Sequence, residues 1–347
     1  MQSLGTLEEL PQQYRDELAS MNLVPLWPSL RALLPPGLPC RHTRPTHWKY
    51  RALRPQLMKA GELTPMEKAE RRVLVLANPG HGLENMKASP AIYLGMQLLL
   101  PGEWAPSHRH TPNAVRMVIE GSGATTTVDG EKCPMERGDL ILTPTGLWHE
   151  HAHEGSDPVV WLDVLDLPLI YYAETSYATE GARQTPGAGR GYQAHTAGGV
   201  VPAPLFERRA DKPYPMLRYP WSQVRQALIT LAEDRPDLEA VQLNYINPES
   251  GKDAQNNLGF YALMLRAAQT LALPARSPSA VYHTIEGSCE ISGAGLQAMQ
   301  LAEADTCVVP GYTPIRIRNG TASAATFVFI ADEAPLHRKL GVYEVRS

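Results

Sequence analysis

The 347-residue chain is poor in the features that mark secreted, membrane-spanning and nucleic-acid-binding proteins. It has four cysteines, Cys40, Cys133, Cys289 and Cys307, and no CxxC pair among them. So sparse a set excludes a disulfide framework and a thiolate zinc cluster, and fits reduced thiols in the cytoplasm. No apolar run approaches the roughly 20 residues that span a bilayer. The first residues lack the basic-then-apolar order of a signal peptide. Basic residues do not predominate either. The chain has 32 Lys and Arg against 36 Asp and Glu, a net charge of -4, which argues against a nucleic-acid partner. The expectation is a cytoplasmic protein that engages neither membrane nor nucleic acid.

What is abundant is punctuation. The 31 prolines and 27 glycines are scattered among short β-branched runs, the pattern of many short strands joined by turns. The length favours two domains. Leu7 to Met21 reads as an amphipathic helix, with Leu10, Tyr14 and Leu18 at helical spacing. Val24 to Pro55 has no period and reads as an extended arm. A short helix near Thr64–Glu70 leads into a strand from Arg71. Strand runs then come at Ile92–Leu100, Val115–Ile119, Ala124–Val128, Asp139–Leu142 and Val159–Val164. Gly181 to Gly199 reads as a linker, Trp221 to Glu233 as a helix, and Leu238 to Pro335 returns to strands. The domain boundaries expected are residues 1–84 for an N-terminal arm, 85–172 for a first β-domain, 173–239 for a linker with a helix, and 240–347 for a second β-domain and tail.

The second half repeats the first at an offset of 166 residues. Pro112-Asn-Ala-Val-Arg-Met-Val-Ile-Glu-Gly-Ser122 aligns with Pro278-Ser-Ala-Val-Tyr-His-Thr-Ile-Glu-Gly-Ser288, identical at seven of eleven positions. In the same register Asp139 falls on Asp305 and Pro144 on Pro310. Three histidines distinguish the copies. His108, His110 and His149 fall on Pro274, Arg276 and Ile315, while His283 aligns with Met117. Residues two apart on a strand share a face, so His108 and His110 point the same way, and His149 comes one turn and one strand later. Three neutral imidazoles so placed suit a first-row metal ion in the first copy, and the second copy is expected to be metal-free.

These motifs resemble those of the cupin superfamily. Gly102, His108, His110 and Gly121 match its first motif, with Ala114 where a Glu ligand would sit. Gly138, Pro144, Gly146 and His149 match the second, with His153 at its Asn position. The resemblance implies an all-β bicupin: two double-stranded β-helix (jelly-roll) barrels, an N-terminal helical arm and a linking helix. A longer match is to the bicupin ring-cleaving dioxygenases acting on gentisate, salicylate and 1-hydroxy-2-naphthoate. It is carried by Glu67-Lys-Ala-Glu-Arg-Arg-Val-Leu-Val-Leu-Ala-Asn-Pro79, Leu99-Leu-Pro-Gly-Glu103, Pro106-Ser-His-Arg-His-Thr111, Trp148-His-Glu-His151, Trp161-Leu-Asp163 and Lys339-Leu-Gly-Val-Tyr343.

What that family resemblance implies is Fe(II) held by His108, His110 and His149, with a small aromatic 2-hydroxy acid chelating it through carboxylate and ortho oxygen. O2 would cleave the ring, turning gentisate into maleylpyruvate. Salicylate or 1-hydroxy-2-naphthoate as substrate is an alternative, and a non-catalytic metal-stabilised binding bicupin is a reading of another class. Arg116 lies six residues after His110, an even separation that returns it to the inner face, where it can pair a carboxylate. The family spacing points to Arg72, rather than Arg71, as a second pocket arginine. His151, two residues from His149, is the candidate acid/base or hydrogen-bond partner for a phenolic oxygen. A fourth metal ligand is its competing role. Asp163 is the candidate partner of a second ring hydroxyl or of His151. Gln97, Tyr93 and Trp161 are expected to line the ring pocket. Tyr93, Glu150, His153 and Val164 depart from residues common in the family, which bears on substrate choice. A homotetramer is also expected from the resemblance and the arm.

Overall fold

The computed structural model describes residues 5–187, 191–196, 200 and 213–346, so part of the expected Gly181–Gly199 linker lies outside the described residues. The chain divides into two units, residues 1–42 and 43–347. The first unit holds α1 (Gln12–Ser20), which starts after Pro11 and buries no residue, and α2 (Leu30–Leu33).

The second unit opens with β1 (Thr46–Trp48), α3 (Tyr50–Leu63), α4 (Met66–Ala69) and β2 (Val73–Val75). The strands of the first repeat are β3 (Tyr93–Leu99), β4 (Trp104–His110), β5 (Ala114–Glu120), β6 (Ala124–Val128), β7 (Glu131–Pro134), β8 (Leu140–Thr143), β9 (His149–His153) and β10 (Val159–Leu165). They are succeeded by α5 (Leu167–Tyr172), β11 (Ala178–Glu180), β12 (Arg218–Tyr219) and α6 (Trp221–Asp234). The second repeat runs through β13 (Val241–Asn244), β14 (Gly259–Leu265), β15 (Thr270–Leu273), β16 (Ala275–Arg276), β17 (Ala280–Glu286), β18 (Cys289–Gly293), β19 (Leu296–Leu301), β20 (Thr306–Val309), β21 (Ile315–Arg318) and β22 (Thr326–Asp332). It closes with α7 (Ala334–Lys339) and β23 (Val345–Arg346).

The repeat read in the sequence is a repeat of strands. At the 166-residue offset β3, β5, β8 and β9 recur as β14, β17, β20 and β21. Each copy has a six-stranded sheet, in the orders β12-β8-β5-β10-β3-β2 and β1-β20-β17-β22-β14-β13, and each has a smaller companion sheet, β11-β4-β9-β6-β7 or β15-β21-β18-β19. The fold is thus mostly β, with cupin-like sheets in both halves.

The two six-stranded sheets exchange their edge strands. β1 precedes the first repeat yet pairs with β20 of the second, and β12 precedes the second repeat yet pairs with β8 of the first. One buried aspartate per repeat anchors each exchange. Asp139 accepts hydrogen bonds from Arg218 Nε and from Trp221 N, the first residue of α6, at 2.7 and 2.8 Å. Asp305 accepts from Tyr50 N, the first residue of α3, at 2.8 Å, and lies 2.9 Å from His47 Nε2. A carboxylate at a helix start satisfies amides that the helix cannot. Thr46–Trp48 of the expected arm and Arg218–Tyr219 of the expected linker are therefore corrected to sheet strands. The sequence expectation of an extended Val24–Pro55 segment is corrected likewise, since α3 begins at Tyr50 and carries Pro55 within it.

Strand alternation decides what each pair of sheets encloses. Along β14, Phe260, Ala262 and Met264 join a core shared by the two repeats, while Tyr261, Leu263 and Leu265 join a separate apolar cluster of the second repeat. Along β3, Leu94, Met96 and Leu98 join the shared core. Their alternating neighbours Tyr93, Gly95 and Gln97 face the other way. Where the second repeat packs apolar side chains between its sheets, the first holds polar ones.

Candidate metal centre

The three histidines converge. His108 and His110 come from β4 and His149 from β9, with His108 directly opposite His149 in the register. Ring centroids lie 5.3 Å apart for His108–His110, 4.2 Å for His108–His149 and 4.7 Å for His110–His149. One ring nitrogen from each lies within 4.8 Å of the others, a separation that one ion can bridge. Two of the rings are held in a defined tautomer. His110 Nδ1 lies 2.7 Å from Pro112 O and His149 Nδ1 lies 3.0 Å from Leu147 O. Carbonyls only accept, so both Nδ1 atoms carry the proton and both Nε2 atoms keep the lone pair. His149 Nε2 is buried and has no hydrogen-bond partner. A buried unpaired lone pair is costly, and a metal ion satisfies it. The residues fit the group.

Electrostatics keeps these rings neutral. Burial, reinforced by the Arg71 charge, lowers the His108 pKa to about 3. Burial and Arg116 lower His110 to about 4, and the same two causes hold His149 well below the ordinary imidazole value. A neutral imidazole is the form that ligates.

Arg116, on β5, is buried, and its Nε lies 3.4 Å from Asp163 Oδ1 on β10, its direct cross-strand partner. It also donates through Nη1 to Thr143 Oγ1. Asp163 accepts from Trp161 Nε1 at 3.0 Å. Burial pushes the Asp163 carboxyl up to about 6 against the pull of Arg116. His151 is buried against Trp161, with ring centroids 5.1 Å apart, and its Nδ1 lies 2.9 Å from Thr126 Oγ1. Its Nε2 has no partner, as is true of Gln97 Nε2. Gln97 stands opposite Trp161 in the β3–β10 register. Tyr93 is largely buried, with its phenol raised above the ordinary value by burial and by Asp163.

The expectation for Arg72 is corrected. Arg72 turns away from the histidines, pairing with Glu103 Oε1 at 2.5 Å and donating to Thr64 O at 3.0 Å. Arg71 faces them instead, its guanidinium against His108 Nδ1 and donating to Pro106 O at 2.5 Å. Successive residues entering a strand point to opposite faces, so only one of the pair can reach the centre. Burial and the neighbouring Arg116 lower the Arg71 pKa to about 10, within the charged range. His153, at the family's Asn position, serves a turn: its ring lies 2.6 Å from Asp157 O and accepts from Gly155 N. Sequence reasoning does not reach Thr126 and Thr143. Period-2 alternation on β6 and β8 places them inward, but a lone threonine carries no motif.

A cupin-domain family model matches residues 95–165. The chain is 67% identical over 344 residues to a gentisate 1,2-dioxygenase of Ralstonia sp, covering 99% of this chain and 96% of the relative. It is 31% identical to a 5-aminosalicylate 1,2-dioxygenase of Comamonas sp, covering 96% and 89%. Among solved structures, salicylate 1,2-dioxygenase from Pseudoaminobacter salicylatoxidans, in a crystal form with gentisate, superposes with a TM-score of 0.88 at 30% identity, covering 100% of this chain and 95% of that one.

Proposed function

The chain belongs to the gentisate 1,2-dioxygenase family, and from that premise we propose that it converts gentisate and O2 to maleylpyruvate at an Fe(II) centre held by His108, His110 and His149. Iron(II) bound there supplies one-electron chemistry towards O2, and no organic cofactor is needed. The observation that carries the substrate class is the charge of the pocket. The buried guanidinium of Arg116, paired with Asp163, and the half-buried guanidinium of Arg71 stand beside three neutral ligands. A buried cation without a partner is costly. A carboxylate-bearing substrate offsets that cost and is oriented in doing so. His151 presents an unpaired Nε2 that can hold or move a proton at a phenolic oxygen, and Asp163 or Gln97 Nε2 can hydrogen-bond a second ring substituent. Trp161 and Tyr93 wall the ring.

Anaerobic titration of the Fe(II)-loaded protein with gentisate, and then exposure to isotopically labelled O2, tests this reading. Both labelled atoms should appear in a ring-opened product. Release of the acid unchanged, or incorporation of one atom only, contradicts it. Salicylate and 1-hydroxy-2-naphthoate serve as comparison substrates, since relatives near 30% identity act by name on acids other than gentisate.

The proposal extends to a cytoplasmic homotetramer. The unit of residues 1–42 exposes Leu23, Val24, Leu26, Trp27, Leu33 and Leu34. Apolar surface of that density is what a subunit interface covers.

A further inference from the structure

β4, which carries two of the three histidines, pairs irregularly on its inner side. Its register with β9 shifts between Ala105 and His108, and of the ligand-bearing stretch only His108 is paired there. The opposite edge is held by β11, whose three residues Ala178, Thr179 and Glu180 face His110, Arg109 and His108 in turn. The backbone that aims His110 is therefore set by β11 on this edge and by Gly146 N, which donates to His110 O at 2.9 Å, on the other.

The segment after β11 ties this edge to the other strands of the same sheet. Gly181 N donates to Ser107 O at 2.9 Å. A Cβ on Gly181 would meet the Trp148 ring at 2.2 Å, so only glycine lets the chain cross there. Gln184 then makes three bonds. Its backbone N donates to Glu150 Oε2 at 2.8 Å, its Oε1 accepts from Gly130 N at 2.7 Å, and its Nε2 donates to Thr127 O at 3.0 Å. Thr127 pairs with Glu150, and Val128 with His149, in the β6–β9 register. Glu150 sits between His149 and His151 on β9, so its side chain leaves the face opposite theirs. Residues 178–187 thus run from the edge strand beside His108 and His110 to the strands that hold His149, and Gly187 N closes the crossing on Gly130 O at 2.9 Å.

We propose that residues 178–187 form a strap that fixes the relative positions of His108, His110 and His149, with Gln184 and Gly181 as its positioning residues. The strap touches no ligand ring and acts through the backbones that carry them. In the second repeat β23 takes the place of β11, pairing with β16, whose Arg276 stands at the position of His110.

The proposal rests on the three-histidine centre and is tested with Co(II) alone, whose d–d absorption reports ligand geometry without turnover. The wild-type full-length protein should take up one Co(II), with a defined spectrum. Gln184→Ala should bind it about tenfold more weakly, the range seen when groups that orient metal ligands are removed. Its d–d bands should shift, while the metal-free protein melts where the wild type does. Gly181→Val, which displaces the strap by contact with Trp148, should give the same spectral change independently. Wild-type affinity and spectrum in both variants would overturn the strap, as would an equal fall in the melting temperature of metal-free and metal-loaded protein. Absence of Co(II) uptake by the wild type would instead overturn the centre itself, and the strap with it.

Discussion

Two arginines adjacent in the chain end in different chemistry. Arg71 lies against His108, and Arg72 pairs with Glu103 behind the strand. Arg71→Ala should therefore weaken capture of a carboxylate substrate, by about thirtyfold in kcat/KM if a buried charge pair is lost. Arg72→Ala should lower the melting temperature and leave the kinetics of the folded enzyme unchanged. Steady-state kinetics and melting curves of the two variants separate these outcomes. The sequence could not choose between them, because the answer depends on which residue enters β2 facing inward. The histidine triad was legible for the opposite reason: two ligands share one strand face by spacing alone, and their absence from the sister copy marks them. Another buried imidazole, His283, has no part in the centre. It lies 2.9 Å from Thr306 Oγ1, and burial lowers its pKa to about 4. An imidazole in the unfolded chain titrates near 6.5, so between about 4 and 6.5 the unfolded chain binds more protons and stability falls as pH is lowered. His108 and His110 act in the same direction when no metal is bound. Metal-free protein should therefore lose melting temperature through this window, and His283→Asn should make the loss shallower. An unchanged slope would place the acid lability elsewhere.

The helices that succeed the exchanged strands are matched pieces. α3 and α6 each begin on a buried aspartate of a sheet. Each sends an arginine to a glutamate at the end of a central strand, Arg54 to Glu120 and Arg225 to Glu286. Each buries one leucine completely, Leu57 and Leu228. Truncating either leucine to alanine should cost about 2–5 kcal/mol, as cavity-forming changes in tight cores do. Denaturant unfolding should show losses of similar size, with metal content unchanged. A loss at one site only would show that the two halves are not equivalent supports. Of this pair α6 was legible, because Val224, Leu228 and Leu231 keep a helical period. α3 was not, because Pro55 interrupts the pattern and removes a backbone donor. What holds it as a helix is distant in sequence: Asp305 at its start, and Glu120 accepting from Tyr50 and Arg54. The edge-strand exchange was illegible for a related reason. β1 and β12 are three and two residues long, too short to show a period, and their partners lie far along the chain.

At the scale of the molecule, the two repeats divide structure and chemistry. Both contribute a six-stranded sheet to a shared apolar core, and the second fills its own interior with residues such as Leu263, Tyr282 and Ile317. The first gives its interior to histidines, arginines and one aspartate. That division was visible in the aligned sequences, where every ligand of one copy faces an apolar or mismatched residue in the other. The assembly was less visible, since it depends on surfaces rather than spacing. Sedimentation of the intact protein should give a mass near four times 38.2 kDa. Charged substitutions at Leu33 and Leu34 should shift it towards smaller species, and a monomeric wild type would remove the tetramer. The central claim is the reaction. The measurement that reaches it most directly is oxygen uptake by anaerobically prepared, Fe(II)-loaded protein when gentisate and air are admitted. Stoichiometric loss of O2 with growth of a ring-opened product absorbance is the predicted result. No oxygen loss with gentisate or any other 2-hydroxybenzoate, from protein shown to hold its iron, would contradict it.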